Sequence, residues 1–298
     1  MRADPWLVDD GTLVALRCGL WRYNALGLVR DGVACAIDPG ITPAEIAALR
    51  ARLERDGAAV THVVLTHAHH DHLRGWDAFP GAQVIMPRIG ADKAPERRAR
   101  ILAGKRQVDQ KLGIDDPGFR YPEADVKVDA RYTFALGDLT LELRALPGHS
   151  DCTTVLLAKE LRTLFSADYL VHPGLPYCRF EAAPFEAAHQ RLREWVLAGE
   201  VERIVPAHEA MIEGREALLA ALDEELAYFA ALRTDVRARL ADVDGASPGD
   251  WARLVKAAAA ALAARRLERC GEDLGPRAVQ DIDNAKRVLD EERQRIAP

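Results

Sequence analysis

Short apolar runs bounded by polar turn residues open the chain and predict β-strands. Three such runs lie at 13–18, 25–30 and 33–38. Asp31 and Gly32 stand between the last two runs and are typical of a tight hairpin turn. The chain is therefore expected to begin with three strands, the last two joined as a hairpin.

The spacing of apolar residues then changes to that of a helix. Within 43–55, Ile46, Leu49 and Leu53 recur at i, i+3 and i+7 with charged residues between them, which predicts an amphipathic helix. Residues 61–67 follow as an apolar run and predict a buried strand. This alternation of strand, helix and strand favours the α/β class.

The same alternation returns in the second half of the chain. One helical pattern covers 185–198. Strand patterns cover 131–146, 154–158, 162–166 and 201–208.

Two further segments are helical in pattern and interrupt that alternation. Residues 88–111 hold eight Arg and Lys residues against three acids, which predicts a basic helix. From about Gly214 onward the sequence favours helix almost throughout, with Pro248 placed as a first-turn proline and Gly271 as a stop. The tail therefore predicts three helices.

A cluster of histidines follows the predicted strand at 61–67. Residues Thr66 to His72 read THAHHDH, and the end of a strand is where α/β sheets place ligand sites. A lone histidine is usually a hydrogen-bonded core or surface residue, but here four histidines and an aspartate lie within six residues. Imidazole nitrogen and carboxylate oxygen are donors that zinc and iron accept, so the cluster indicates a metal site. The alternative is a histidine-rich surface turn.

The HxHxDH pattern after an apolar strand resembles the signature of the metallo-β-lactamase superfamily. Further motifs that are similar to this family follow in the family's order: CAIDPG at 35–40, LPGHS at 146–150, FSADYL at 165–170 and IVPAHE at 204–209. The resemblance covers residues 12–210. It implies a four-layer αββα metallo-β-lactamase sandwich with a C-terminal helical extension.

The resemblance also implies a domain organisation and a ligand set. The catalytic domain is expected at 1–212, with a helical insertion at about 88–122, and the α-helical extension at 213–298. A first metal is expected on His67, His69 and His149, a second on Asp71, His72 and His208, and Asp168 is expected to bridge the two. Asp38 is expected to support the ligands from behind.

Three positions depart from the family's usual form. Ala167 and Ala207 stand where glycine is common, which puts the backbone approach in doubt. His70 adds an imidazole between ligands and is expected to point away from them. His62, at a strand start, and His189, on a surface helix, are also expected to be structural or solvated.

A binuclear metal-dependent hydrolase is the activity that the resemblance implies. Two Zn²⁺ ions would activate a bridging hydroxide that attacks an ester, thioester or lactone. Asp71 is expected to orient that nucleophile and to help move its proton to the leaving group. Asp168 argues against a true β-lactamase, because the resemblance implies cysteine or serine there in those enzymes.

Two other activities keep the same ligands. A mononuclear iron persulfide dioxygenase would use His67, His149 and Asp168, and its segment after the bridging aspartate is similar to residues 167–181 here. A phosphodiesterase or nuclease is disfavoured, because only the basic segment 88–111 hints at a nucleic-acid surface.

Three side chains near Asp168 are candidates to donate a hydrogen bond to an oxyanion: Tyr169, His172 and Tyr177. The alternative for both tyrosines is a packing role with a solvated hydroxyl. The basic segment 88–111 either attracts an anionic substrate, such as a thioester carried on coenzyme A or a carrier protein, or is a solvated charged face. The tail helices either wall the substrate pocket or bury apolar faces in a homodimer.

Composition narrows the setting of this activity. A net charge of −6 over 298 residues gives no general attraction for nucleic acid, so a small-molecule substrate is expected. The five cysteines are scattered and form no CxxC pair, which fits a reducing cytoplasm. No stretch reaches the roughly 20 apolar residues of a membrane span, and the first residues lack the pattern of a secretion signal.

Overall fold

The computed structural model describes residues 6–172, 174, 176–241, 248–270 and 278–296. The chain divides into two compact units with interleaved segments. The first unit comprises Met1–Leu146, Cys152–Ala167 and Glu200–Glu213. The second comprises Pro147–Asp151, Asp168–Gly199 and Gly214–Pro298.

A seven-stranded sheet forms the first half of the first unit. Its strands lie side by side in chain order: β1 (Trp6–Asp9), β2 (Leu13–Arg17), β3 (Asn24–Arg30), β4 (Val33–Ile37), β5 (Ala59–Val64), β6 (Gln83–Pro87) and β7 (Val126–Val128). The first four strands pair antiparallel, and β4 to β7 pair parallel. The carboxyl ends of β4 and β5 therefore meet at the same edge of the sheet, so the loops after Ile37 and Val64 are neighbours.

A six-stranded sheet forms the second half of the same unit. In spatial order it holds β13 (Ile212–Glu213), β12 (Arg203–Val205), β11 (Thr163–Phe165), β10 (Thr154–Ala158), β9 (Leu139–Ala145) and β8 (Arg131–Leu136). Only β11 and β12 run parallel. The predicted strand at 131–146 is two strands, because Gly137 adopts a φ of 59° and allows a hairpin turn.

Two apolar cores hold the first unit together. One contains side chains from both sheets, such as Leu26 and Ile37 from the first and Leu143 and Phe165 from the second. The other lies where α1 (Pro43–Leu53) covers the first sheet, and it includes Leu49. A capping box between Thr42 and Glu45 begins α1.

The basic segment is broken into two helices rather than one. A short helix α2 (Arg88–Ala91) precedes α3 (Pro95–Leu112). Pro95 begins α3, as expected for a residue that restricts its predecessor to extended backbone. Lys105 and Asp109 are buried on the inner face of α3, and Lys105 also binds Asp116.

The regular elements described in the second unit are helices. It contains α4 (Ala182–Leu197), α5 (Arg215–Ala241), α6 (Pro248–Cys270) and α7 (Ala278–Ile296). Helix α5 contacts the other three, and α7 also contacts α4. Three helices after Gly214 match the prediction, with Pro248 in the first turn of α6, whereas Gly271 lies outside the described residues.

Candidate metal centre

The THAHHDH segment is held to the sheet edge by Asp38. Strand β5 ends at Val64, three residues before the predicted end, which leaves the histidines on a loop. The Asp38 carboxylate accepts hydrogen bonds from the Thr66 backbone N–H at 2.9 Å and from the Thr66 hydroxyl at 2.6 Å. Because Asp38 is fully buried, these bonds fix the start of the loop.

Asp71, His72 and His208 converge within the first unit. The Asp71 Oδ2 atom lies 3.6 Å from Nε2 of His72 and 3.6 Å from Nε2 of His208. One donor atom from each of these three residues lies within 4.8 Å of the others. The arrangement is a two-histidine, one-carboxylate set of the kind that divalent metals accept.

The second nitrogen of each histidine in this set is bonded to an acceptor. Nδ1 of His72 lies 2.9 Å from Asp38 Oδ2, and Nδ1 of His208 lies 3.0 Å from the Trp21 carbonyl oxygen. Both Nδ1 atoms donate, so each ring in its neutral form carries its lone pair on Nε2, the atom that faces Asp71. In its protonated form each ring instead directs an N–H from that atom toward Asp71. This outer bonding is what a metal-ligating histidine requires.

His67 is oriented by the same carboxylate through Thr66. Because the Thr66 hydroxyl donates to Asp38, its lone pairs can accept from His67 Nδ1, 3.1 Å away. His67 then carries its lone pair on Nε2, which lies 2.9 Å from Nδ1 of His69. Two imidazole nitrogens at this distance must share either a proton or a cation.

The Asp71 carboxyl remains ionised in this environment. Burial alone would raise its pKa, but the nearby His72, the hydrogen bond from His208 and the charge of His70 together hold the pKa well below the usual 3.8. Asp71 therefore offers a negative charge at neutral pH.

His208 is positioned by backbone hydrogen bonds of its neighbour Ala207, which connect the two sheets of the first unit. The Ala207 N–H donates to the Ala167 carbonyl at 2.8 Å, and the Asn24 N–H donates to the Ala207 carbonyl at 2.7 Å. Tyr23 packs its ring edge-on against His208, with centroids 5.1 Å apart. Ala167 adopts a φ of 53°, so alanine occupies a left-handed conformation that favours glycine.

His149 and Asp168 come together within the second unit. Nε2 of His149 lies 3.1 Å from Asp168 Oδ2. The Nδ1–H of His149 donates to the Tyr177 carbonyl at 2.6 Å, and its backbone N–H donates to the Tyr169 hydroxyl at 3.0 Å. The Arg179 N–H donates to the His149 carbonyl at 3.1 Å. Three hydrogen bonds thus direct the His149 Nε2 toward Asp168.

A family model described as the metallo-beta-lactamase superfamily matches residues 28–208, which is more than half of the chain and includes all seven expected ligands. The chain belongs to the metallo-β-lactamase superfamily. Its Asp71, His72 and His208 form a group that could hold a metal ion.

Two curated members of the superfamily illustrate its relatives. The chain is 30% identical over 182 residues to the acyl-coenzyme A thioesterase MBLAC2 of Bos taurus, and the match covers 54% of this chain and 61% of that protein. It is 30% identical over 237 residues to a hydroxyacylglutathione hydrolase of Anaeromyxobacter dehalogenans strain 2CP-C, covering 77% of this chain and 74% of the relative. The chain therefore spans less than two thirds of the bovine protein.

Solved structures of the superfamily share the fold. A metallo-beta-lactamase family protein from Thermus thermophilus matches with a TM-score of 0.64 and 19% identity, covering 94% of this chain and 93% of that one. A double mutant of the sec-alkyl sulfatase PisA1 matches with a TM-score of 0.67 and 13% identity, covering 97% and 50%. The predicted α/β metallo-β-lactamase fold is confirmed.

The three candidate oxyanion donors have different surroundings. Tyr169 is fully buried, its ring packs on Phe185, and its hydroxyl accepts a hydrogen bond from the His149 N–H. These contacts favour a role in positioning the His149 loop over direct contact with a substrate. Tyr177 is partly exposed and donates to Asp283 at 3.0 Å. His172 is also partly exposed.

His189, which was expected to be structural or solvated, has a structural role. His189 is 1% exposed, and its ring nitrogens contact the Phe185 carbonyl and the Glu225 carboxylate, so it joins α4 to α5. His189 is four residues after Phe185 and three before Leu192, so it lies on the same buried face of α4 as these two residues. His70 packs edge-on against Trp21, with centroids 5.9 Å apart, and His62 lies mid-strand in β5 beside Phe134.

Two functional partners carry no signal in the sequence. The Trp21 and Tyr177 carbonyls orient His208 and His149, but any residue type provides a carbonyl. Only the motif spacing around Asp38 pointed to a supporting residue.

Among the described residues, no helix has the length and apolar character needed to cross a bilayer.

Proposed function

We propose that this chain hydrolyses thioesters with the help of two divalent metal ions, for which zinc is the first choice. The observation that carries the proposal is the convergence of Asp71, His72 and His208 with both outer nitrogens already bonded. That arrangement fits a ligand set better than a hydrogen-bonded cluster, because the remaining lone pairs face one carboxylate.

The ligands are assigned by the order of the superfamily's motifs. His67, His69 and His149 would hold one metal, Asp71, His72 and His208 the other, and Asp168 would bridge them. Chain connectivity supports the role of Asp168, because it directly follows Ala167, whose carbonyl binds the backbone just before His208.

Bound divalent metals would lower the pKa of a water molecule toward neutrality and polarise the carbonyl of the substrate. Asp71, ionised at neutral pH, would accept a hydrogen bond from the attacking water and hold its orientation. His172 is the proposed donor to the developing oxyanion. Tyr177 would have to release Asp283, the present acceptor of its hydroxyl proton, to act as a second donor.

A thioester suits this site for a chemical reason as well as by relationship. A thiolate leaves without strong acid assistance, since the pKa of a free thiol is near 8.5. The named activities of the two relatives, acyl-coenzyme A thioesterase and hydroxyacylglutathione hydrolase, support the same class. The thiol part would then be an anionic carrier such as coenzyme A or glutathione.

Metal content and substrate preference test the proposal together. Protein purified without added metal should contain close to two zinc ions per chain and should hydrolyse acyl-coenzyme A or S-acylglutathione faster than a lactone or a phosphodiester. Asp168→Ala should lower kcat by at least 100-fold. Asp138→Ala removes an exposed carboxylate paired with Arg30 and should leave turnover unchanged.

Two results would contradict the proposal. Full thioesterase activity in Asp168→Ala would remove the bridging carboxylate from the mechanism. One iron per chain, with oxygen uptake on a persulfide substrate, would assign the site to persulfide oxidation instead.

A further inference from the structure

Asn284 of α7 binds the segment that orients His149. Its side chain is fully buried. The Asn284 Oδ1 accepts from the Cys178 backbone N–H at 2.9 Å, and its Nδ2 donates to the Pro176 carbonyl at 2.8 Å. One side chain thus holds the backbone on both sides of Tyr177.

The peptide group between Tyr177 and Cys178 connects Asn284 to His149. The Cys178 N–H and the Tyr177 C=O belong to the same planar trans peptide, so they point in opposite directions. Asn284 Oδ1 accepts at the N–H edge, and His149 Nδ1 donates at the C=O edge, 2.6 Å from the oxygen. Fixing one edge of the plane fixes the direction of the other.

Asn284 is itself held by α5. Its Nδ2 also donates to the Tyr228 hydroxyl at 3.0 Å, and that hydroxyl donates to Asp281 Oδ1 at 2.8 Å. The Asn284 amide therefore accepts one hydrogen bond through Oδ1 and donates two through Nδ2. Rotation of the amide would break these bonds in a buried place.

We propose that Asn284 is a positioning residue for His149, acting through the Tyr177–Cys178 peptide group. The tail helix α7 thereby sets the ring orientation and tautomer of a ligand that lies more than a hundred residues earlier in the chain. Aligned hydrogen bonds along one peptide also polarise each other, which strengthens the donation from His149 Nδ1. The proposal rests on the proposed function where it treats His149 as a metal ligand.

Two variants separate positioning from packing. Asn284→Ala removes the acceptor at Cys178 together with both donated bonds. Tyr228→Phe removes the hydroxyl that Asn284 and Asp281 share, but it leaves the Cys178 link in place. Both disturb the contact of α5 with α7, so both should lower the unfolding temperature, whereas only the first releases the peptide that faces His149.

The first readout uses metal-free protein. An imidazole N–H proton resonance, assigned to His149 by its loss in His149→Ala, should be slow to exchange in the wild type and in Tyr228→Phe. In Asn284→Ala it should exchange at least tenfold faster or disappear. An unchanged resonance in Asn284→Ala would overturn the positioning role.

The second readout is zinc affinity measured by competition with a chelator. Loss of an outer-shell partner typically weakens metal binding by 10- to 100-fold, and we expect a change of about this size at one of the two proposed metal positions in Asn284→Ala. Tyr228→Phe should change neither affinity by more than about threefold. Equal losses in the two variants would assign Asn284 to packing alone.

The outcomes also separate this inference from the proposed function. A wild-type chain that binds no zinc would contradict the proposed function, and the His149 N–H resonance would then decide alone whether Asn284 orients the ring. Two bound zinc ions with the same affinities in the wild type and Asn284→Ala would overturn the positioning role and leave the proposed function standing.

Discussion

One polar residue of this chain, Asp38, supports two of the histidines proposed as metal ligands. Asp38 binds His72 directly and reaches His67 through the Thr66 hydroxyl. It therefore supports one histidine from each proposed metal position. The carboxylate is fully buried, and both of its oxygens accept hydrogen bonds. In Asp38→Asn, the amide N–H₂ group would replace one of these oxygens and would face a donor N–H or O–H.

Asp38→Asn should weaken zinc binding at both proposed positions by about 10- to 100-fold. Chelator competition measures both affinities. Asp138→Asn is the matched control, because that carboxylate is exposed and its ion pair with Arg30 contributes little. Loss of affinity only at the position that includes His72, with the His67 position unchanged, would show that the Thr66 link between Asp38 and His67 is not needed.

Tyr169→Phe should lower the free energy of unfolding by about 1–3 kcal/mol, because the His149 N–H would lose its acceptor in a buried place. Burial raises the pKa of the Tyr169 phenol well above its ordinary value. The phenol therefore stays neutral, and the variant should keep the shape of the wild-type pH–rate profile. Urea unfolding and a profile from pH 6 to 10 check the two parts, and loss of an alkaline limb would assign Tyr169 to the chemistry.

At the scale of elements, helix α4 lies close to the backbone of the His149 loop. A Cβ on Gly148 would stand 2.6 Å from Phe185 Cα and 2.7 Å from Phe185 N, both in the first turns of α4. Gly148 also has a φ of 150°. The glycine of the LPGHS motif is thus required by close packing as well as by conformation.

Gly148→Ala should destabilise the protein by at least the roughly 1–3 kcal/mol typical of overpacking, since backbone atoms cannot move aside as side chains do. Gly104→Ala in α3 is the matched control. No atom lies within 4 Å of its added Cβ, so it should stabilise by about 0.5–1 kcal/mol. Thermal unfolding of the two variants should therefore shift in opposite directions.

Helices α5 and α7 are joined by ion pairs that titrate at acid pH. Burial raises the pKa of Glu292, but hydrogen bonds from Arg237 and Arg233 outweigh it and hold the pKa below the usual 4.5. A carboxyl with a lowered folded-state pKa contributes stability above its unfolded pKa and loses that contribution as the pH falls.

The wild type should therefore lose more stability than Glu292→Gln as the pH falls from about 5 to about 3. Unfolding midpoints across this range give the comparison. Glu194→Gln removes an exposed partner of Arg191 and should follow the wild-type curve. Parallel curves for the wild type and Glu292→Gln would show that this cluster does not set the acid sensitivity.

At the scale of the whole molecule, the proposed ligands lie on segments that alternate between the two units. The chain leaves the first unit after Leu146, supplies His149, and returns at Cys152, and it leaves again after Ala167. A metal held by Asp71, His72 and His208, which all lie in the first unit, would be bound by the folded chain and not by the unfolded one, so binding would stabilise the fold.

Removal of metal should lower the unfolding temperature on the order of 10 °C, because one site at a thousandfold excess of metal over its Kd contributes about 4 kcal/mol. Dialysis against a chelator followed by thermal unfolding measures this shift. Added zinc should restore the midpoint in the wild type and less fully in Asp168→Ala. An unfolding midpoint that is the same before and after dialysis against the chelator would show that no metal is bound in the folded state.

Local periodicity and motif spacing control the elements that could be predicted from the amino-acid sequence. Strand and helix patterns gave the α/β class, the THAHHDH loop at a strand end and the helical tail, since burial of one face repeats at 2 or 3.6 residues. The order of the HxHxDH, LPGHS, FSADYL and IVPAHE motifs identified the seven candidate ligands.

Tertiary structure decided everything that depends on contacts between distant segments. It buried His189 under α5, placed Tyr169 behind His149, and brought Asn284 to the Tyr177–Cys178 peptide. The helical period of α4 places His189 on the buried face but does not show which element covers it. Sequence patterns could not show the other two relations, because backbone N–H and carbonyl groups have no side-chain identity.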